Sequence, residues 1–222
     1  MRAYMESGFY VIYLLFIIAL GVFLMAAKKK QQSLFLFGLA CITLGFGDAF
    51  HLVPRAIGLF TKTLDEPSAN LAMWLGIGKL ITSITMTIFY LILYFFIYKR
   101  FNLKRNLIID ICVYTLVLAR FILCVFPQNG WSTNSGSLLW GILRNIPFTL
   151  LGILIIVLCF IYLRKERPYR LLWLAIIFSF AFYIPVVILA SKYSWVGMMM
   201  LPKTICYMLI ASMGLVDYIK YQ

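Results

Sequence analysis

One stretch of the chain sets a carboxylate, an imidazole and a guanidinium at helical spacing. These are Asp48, His51 and Arg55, within Gly45-Phe-Gly-Asp-Ala-Phe-His-Leu-Val-Pro-Arg55. Intervals of i, i+3 and i+7 place all three on one face of a helix. Gly45 and Gly47 beside them let another backbone or a ligand come close. A carboxylate one turn from an imidazole can orient the ring and favour its protonated form, so Asp48 and His51 can act as acid and base. In the plainer reading, Asp48 neutralises Arg55, Lys79 or Lys203 and does no chemistry. His51 is the only histidine, and with one nearby carboxylate it falls short of the three protein ligands of a zinc hydrolase. No metal site is expected. The chain also lacks a glycine-rich phosphate loop, a nucleotide motif and a haem-type arrangement, so no cofactor is expected.

The elements that position these residues are membrane helices. Of 222 residues, 64% are hydrophobic and only 12% are charged. Seven apolar stretches are long enough to cross a bilayer core, at about 8–27, 33–54, 71–98, 107–126, 138–163, 171–191 and 197–218. The expected fold is an all-α polytopic membrane protein, a single seven-helix domain over 1–222 with no room for a soluble domain. The first span lacks a small-residue cleavage site and reads as a retained helix, apolar and featureless, with Tyr10 and Tyr13 as interfacial aromatics. Cys41, Cys112, Cys124, Cys159 and Cys206 all fall within spans without metal spacing. They read as small apolar packing residues, with no disulfide.

Cations set the orientation. Lys28–Lys30, the Lys99–Arg105 segment and the Arg164–Arg170 segment follow spans one, three and five, and Lys220 trails the seventh. The alternate loops, 55–70, 127–137 and 192–196, carry few cations and hold Asp65 and Glu66. The N-terminus is therefore expected outside and the C-terminus in the cytoplasm, in the plasma membrane. Much of the net charge of +13 then serves topology and attraction to anionic inner-leaflet lipid, which argues against nucleic acid as a partner. Asp110 is expected to pair with a loop lysine or arginine, and Asp217 to be solvated.

With the spans alternating in direction, Arg55, Lys79, Arg120, Arg144 and Lys203 come from five spans yet share the outer half of the membrane. His51 joins them, and Asp48 is the one acid expected at that depth. A charge at a helix centre costs about 2.5–3.5 kcal/mol on insertion scales, so such an accumulation calls for a reason. Arg55, Arg120 and Arg144, near helix ends, have an alternative, snorkelling to headgroups or water. Ser83 and Thr87 continue the face of Lys79 and read as packing hydroxyls rather than nucleophiles. The expected ligand-binding set is Asp48, His51, Arg55, Lys79, Ser83, Arg120, Arg144, Asn145, Tyr183 and Lys203. Pro147, Pro185 and Pro202 free backbone groups near the same depth.

Three functions fit this pattern. One is a carrier, binder or sensor whose outer cavity accepts an anionic lipid headgroup or a small anionic metabolite. The second is an intramembrane lipid-modifying enzyme using Asp48 and His51. The third is a structural subunit whose buried charges pair with a membrane-protein partner. Membrane lipids are expected partners in each, and a non-enzymatic role is favoured.

An internal repeat is also legible. Ala49-Phe-His-Leu-Val-Pro54 and Ala181-Phe-Tyr-Ile-Pro185 each follow a basic loop and precede a span with an outer lysine, Lys79 or Lys203. This suggests a 3+1+3 arrangement of parallel triple-helix units, 8–98 and 138–218, joined by a linker helix at 107–126. The arrangement resembles the topology of the SWEET and PQ-loop carriers and, more distantly, of the microbial rhodopsins. Pro127-Gln128 spells the carrier dipeptide but lies in a loop. Lys203 resembles the retinal-binding lysine, whereas Lys79 stands where the rhodopsin family supplies an acidic counter-ion. Gly47-Asp48 is similar to a Gly-Asp helix of the lysoplasmalogenases, without a matching second intramembrane aspartate. No family membership follows from these likenesses.

Overall fold

The computed structural model describes residues 2–27, 32–64, 66–190 and 193–220. Seven long helices make up most of them: α1 (Arg2–Ala26), α2 (Gln32–Phe60), α3 (Ala69–Phe101), α4 (Leu107–Val125), α5 (Leu138–Leu163), α6 (Leu172–Leu189) and α7 (Met200–Lys220). All seven are long and apolar enough to cross a membrane. The protein is thus an all-helical, membrane-embedded seven-helix bundle. Lys28–Lys30, Asp65 and the predicted end of span six at 191 lie outside the described residues.

The helices begin where the sequence supplies caps. The Ser68, Asn106 and Ser137 side chains accept from the first backbone N–H groups of α3, α4 and α5, satisfying donors that have no carbonyl partner within the helix. α3 ends at Asn102, which takes the left-handed conformation common at helix C-termini.

Two boundaries move in ways that matter. The first helix starts at Arg2 rather than near 8, which carries Glu6 onto it. The second continues through Pro54 to Phe60 rather than ending at 54. Proline has no N–H to offer the carbonyl four residues back, so Phe50 loses its helical donor. Gly78 of α3 lies against that carbonyl, so close that a Cβ there would stand 2.2 Å from the oxygen. A weak Cα–H contact at such an approach helps cover a bare carbonyl where water is absent. Gly47 does the same in reverse: its missing side chain makes room for Thr85, and its carbonyl accepts from Thr82 Oγ1 at 2.9 Å. The α2–α3 pair is accordingly the most extensive helix contact in the bundle.

Around it, α1 packs on α2 and α7, α5 on α3 and α6, and α6 on α7, while α4 touches α3 and α5. The faces of α4 away from those neighbours, including Ile111, Leu118 and Ile122, are exposed, as expected of a lipid-facing helix. The expected placing of Tyr10 and Tyr13 at the interface is overturned. Both are buried against neighbouring helices, because the α1 face carrying them turns toward α2. All five cysteines are free, four of them buried and Cys112 exposed.

Asp110 pairs with Arg105 at 3.0 Å and accepts the Tyr94 hydroxyl, as its position predicts. Asp217, expected in solvent, is fully buried. Arg100 and Tyr169 close over it, at 2.8 and 3.2 Å.

Gly78→Ala therefore forces a methyl into a backbone carbonyl that cannot move aside. It should lower stability by about 1–3 kcal/mol, the usual range for overpacking. Gly8, with nothing within 4 Å of its Cβ position, is the control. Thermal denaturation of both alanine variants in detergent checks this, and equal melting temperatures would contradict the packing account.

Candidate functional site: a cation-lined cavity

Consecutive helices run in opposite directions, so the last turns of α2, α4 and α6 meet the first turns of α3, α5 and α7 at one end of the bundle. A cavity of about 730 Å³ opens there. Its wall includes Arg55, Lys62, Lys79, Arg120, Arg144 and Lys203, with His51, Ser83, Asn145 and Tyr183 between them. Nine of the ten residues singled out in the sequence thus face one space. The tenth, Asp48, is not part of the wall. It is buried behind it and accepts the Tyr13 hydroxyl at 2.6 Å.

Arg120 is the deepest of the cations, only 1% exposed. Its Nη1 donates to the Arg144 carbonyl at 2.8 Å and to Asn145 Oδ1 at 3.0 Å, and its Nε donates to the Ser83 carbonyl at 3.3 Å. The guanidinium also stacks 4.0 Å from the centre of the Phe148 ring. Every one of these partners is neutral. The side chain is turned into the protein, which removes snorkelling as its explanation. Asn145 ties the arrangement together, since its Oδ1 also accepts Tyr183 at 2.7 Å and its Nδ2 donates to the Gly141 carbonyl at 2.8 Å.

The rim is built by the 127–137 segment. Asn129 Nδ2 donates to the Leu123 and Phe126 carbonyls, and Trp131 Nε1 to the Cys124 carbonyl, pinning the segment to the end of α4. So held, it presents Asn129 Oδ1 to Arg144 Nη1 and Asn134 Oδ1 to Lys79 Nζ, both at 2.7 Å. The Arg144 guanidinium lies 4.4 Å from the centre of the Trp131 ring, and its Nε is buried with no acceptor. Lys203 has its ammonium 4.6 and 5.4 Å from the Tyr183 and Tyr207 ring centres. Among the described residues no hydrogen bond or ion pair reaches it.

Arg55 differs from the rest. Its Nη2 is 3.4 Å from Glu6 Oε2, and its Nε donates to the Tyr10 hydroxyl, which in turn donates to Glu6. Asp48 is therefore not the only acid at this depth, and it is not the partner of Arg55. The sequence reading missed Glu6 because it began the first helix two residues too late to include it. Once the helix starts at Arg2, Glu6, Tyr10 and Tyr13 recur at i, i+4 and i+7 along one face of α1, opposite Asp48 and Arg55. The Asp48–His51 pairing is also corrected. Tyr13 occupies the carboxylate, and His51 Nδ1 is buried without a partner. Lys62, Asn129, Trp131 and Asn134 were missed for another reason. They sit in connections whose folding back over the bundle has no periodic signature.

Among the described residues, no group of three His, Cys, Asp or Glu side chains stands close enough to hold a metal ion. What the cavity offers instead is hydrogen-bond donors in excess of acceptors, on cations whose partners are nearly all neutral.

Asn145→Leu would leave Tyr183 without its acceptor and Arg120 with one fewer. Each stranded buried group costs about 1–3 kcal/mol, so the variant should unfold at markedly lower temperature, whereas Tyr183→Phe, which removes donor and demand together, should shift it far less. A nano-scale fluorimetric melt of the three proteins checks the order. No protein-family model, curated protein or solved structure matches the chain.

Proposed function

We propose that the protein is a membrane carrier, binder or sensor that takes an anion into this cavity. The ligand is an anionic lipid headgroup or a small anionic metabolite. One observation carries the reading: among the described residues, six cationic side chains line the cavity and no carboxylate does. Behind the wall, Glu6 pairs with Arg55, and the Asp48 carboxylate is near enough to Lys203 to act on it electrostatically, which leaves most of the six cations without a carboxylate beside them. A charge in low dielectric without a counter-charge moves to water or neutralises, yet Lys79, Arg120 and Arg144 are held in place by hydrogen bonds to neutral groups. A bound phosphate or carboxylate supplies the missing charge. The arginines offer planar donor forks and the lysines point charge, while Phe148, Val186, Val187 and Met200 suit an apolar portion of the ligand.

In the orientation proposed from the loop cations, the cavity opens outside and the C-terminus is cytoplasmic. The two lysines then occupy corresponding places in two parallel units, α1–α3 and α5–α7, with α4 as linker. Position 30 tests the orientation. A cysteine there should resist an impermeant thiol reagent in intact cells and react after lysis, and reaction in intact cells would reverse the topology.

Lys79→Met and Lys203→Met keep much of the bulk and remove the charge. Titrated with inorganic pyrophosphate and with short-chain phosphatidic acid, each variant should bind about tenfold more weakly than the parent, the weight of one charge-assisted hydrogen bond, with little change in melting temperature. A preference for one probe separates a soluble anion from a lipid headgroup. Equal affinity of parent and both variants for both probes would refute the reading.

A further inference from the structure

At the end of the bundle opposite the cavity, described residues of the two triple-helix groups pack against each other. Phe37 of α2 and Phe96 of α3 meet Tyr169, which precedes α6, in a three-ring cluster with centres 5.0–5.4 Å apart. Beside the rings, Arg100 of α3 reaches Asp217 of α7 at 2.8 Å, and the Tyr169 hydroxyl donates to the other oxygen of Asp217 at 3.2 Å. Arg100 also stacks over the Tyr169 ring, 5.8 Å from its centre. Phe37, Phe96 and Arg100 belong to one group of helices, Tyr169 and Asp217 to the other. At the 1.5 Å rise of a helix, Arg100 lies about 31 Å along α3 from Lys79, nearly the whole thickness of a bilayer core. Cations therefore stand at both ends of one interior. Among the described residues, the cavity cations have no carboxylate in the wall, whereas Arg100 is covered by a fully buried one.

We propose that the protein is a carrier rather than a static binder, and that Arg100, Asp217 and Tyr169 form the gate that holds its far end shut. This rests on the anion reading above and deepens it. Parting the two groups at this end would break the Arg100–Asp217 pair and leave Arg100 to face the interior as the second cation on the anion's route. Asp217 acts as a built-in substitute for the travelling anion, covering Arg100 when none is present, so that gate opening and anion arrival exchange one negative partner for another. Rocking of two helix groups needs one end open and the other held by contacts that cross between the groups, as Phe37–Tyr169, Phe96–Tyr169, Arg100–Asp217 and Arg100–Tyr169 do. The aromatic cluster seals against leakage and the ion pair makes the closed state specific. A buried pair is costly to break by removing one partner, so its loss should shift the balance toward the open gate.

A native reporter lies just behind the plug. Cys41 is 2% exposed and sits one turn along α2 from Phe37. In the purified full-length protein, alkylation of Cys41 by a charged maleimide is followed by mass spectrometry of its peptide. The parent protein should be protected, and Asp217→Asn should react about tenfold faster or more. Tyr169→Phe, which removes one hydroxyl and cannot be blamed on a buried charge, should show a smaller increase. The exchanged pair, Arg100→Asp with Asp217→Arg, should restore protection. In liposomes, the parent should exchange internal for external labelled pyrophosphate or short-chain phosphatidic acid, and Asp217→Asn should change that rate. Protection of Cys41 at the parental rate in Asp217→Asn and Tyr169→Phe alike would overturn the gate. So would exposure in Asp217→Asn that the exchanged pair leaves uncorrected. If the variants expose Cys41 as expected while neither probe binds or exchanges, the gate stands and the anion reading falls.

Discussion

The structure depends on the cost of keeping cations where water and counter-charge are scarce. A buried guanidinium or ammonium tolerates that environment only if its donors find acceptors. Much of the cavity end can be understood as supplying them. Arg120 is met by two backbone carbonyls and an amide oxygen, Arg144 and Lys79 by asparagines from a connecting segment, and Arg55 by Glu6 through a tyrosine. The supporting groups are themselves pinned, as Asn129 and Trp131 are to the end of α4. Neutral acceptors satisfy geometry but not charge. The cations are therefore positioned by hydrogen bonds without being fully neutralised by the described residues, which is what the proposed anion reading rests on.

The two ends of the bundle solve the same problem differently. At the far end, acids do the neutralising: Asp217 covers Arg100, and Asp110 covers Arg105. At the cavity end, one acid pairs with Arg55, and another, Asp48, accepts from a tyrosine and acts electrostatically on Lys203. The close α2–α3 pair fixes the relation between these ends. Gly47, Gly78 and the bare carbonyl of Phe50 bring the two helices into contact near the cavity, and the same two helices carry Phe37, Phe96 and Arg100 at the plug.

Much of this was determined by the sequence alone. Seven apolar runs of bilayer length dictate seven helices, because a backbone in hydrocarbon must satisfy its own hydrogen bonds. Alternation of direction then places Lys79, Arg120, Arg144 and Lys203 at one end, since helical rise converts residue number into depth with little freedom. Even the inward turn of His51 and Arg55 follows from their shared face with Asp48. Tertiary structure decided what depth and periodicity do not encode, the identity of each partner. Glu6 reaches Arg55, Tyr13 takes Asp48 away from His51, and Asp217 is buried rather than solvated, because each depends on which neighbouring helix face lies opposite. The asparagines of the 127–137 segment belong to the same class. A connection has no period to read, and only its fold back onto α4 turns those amides toward Arg144 and Lys79.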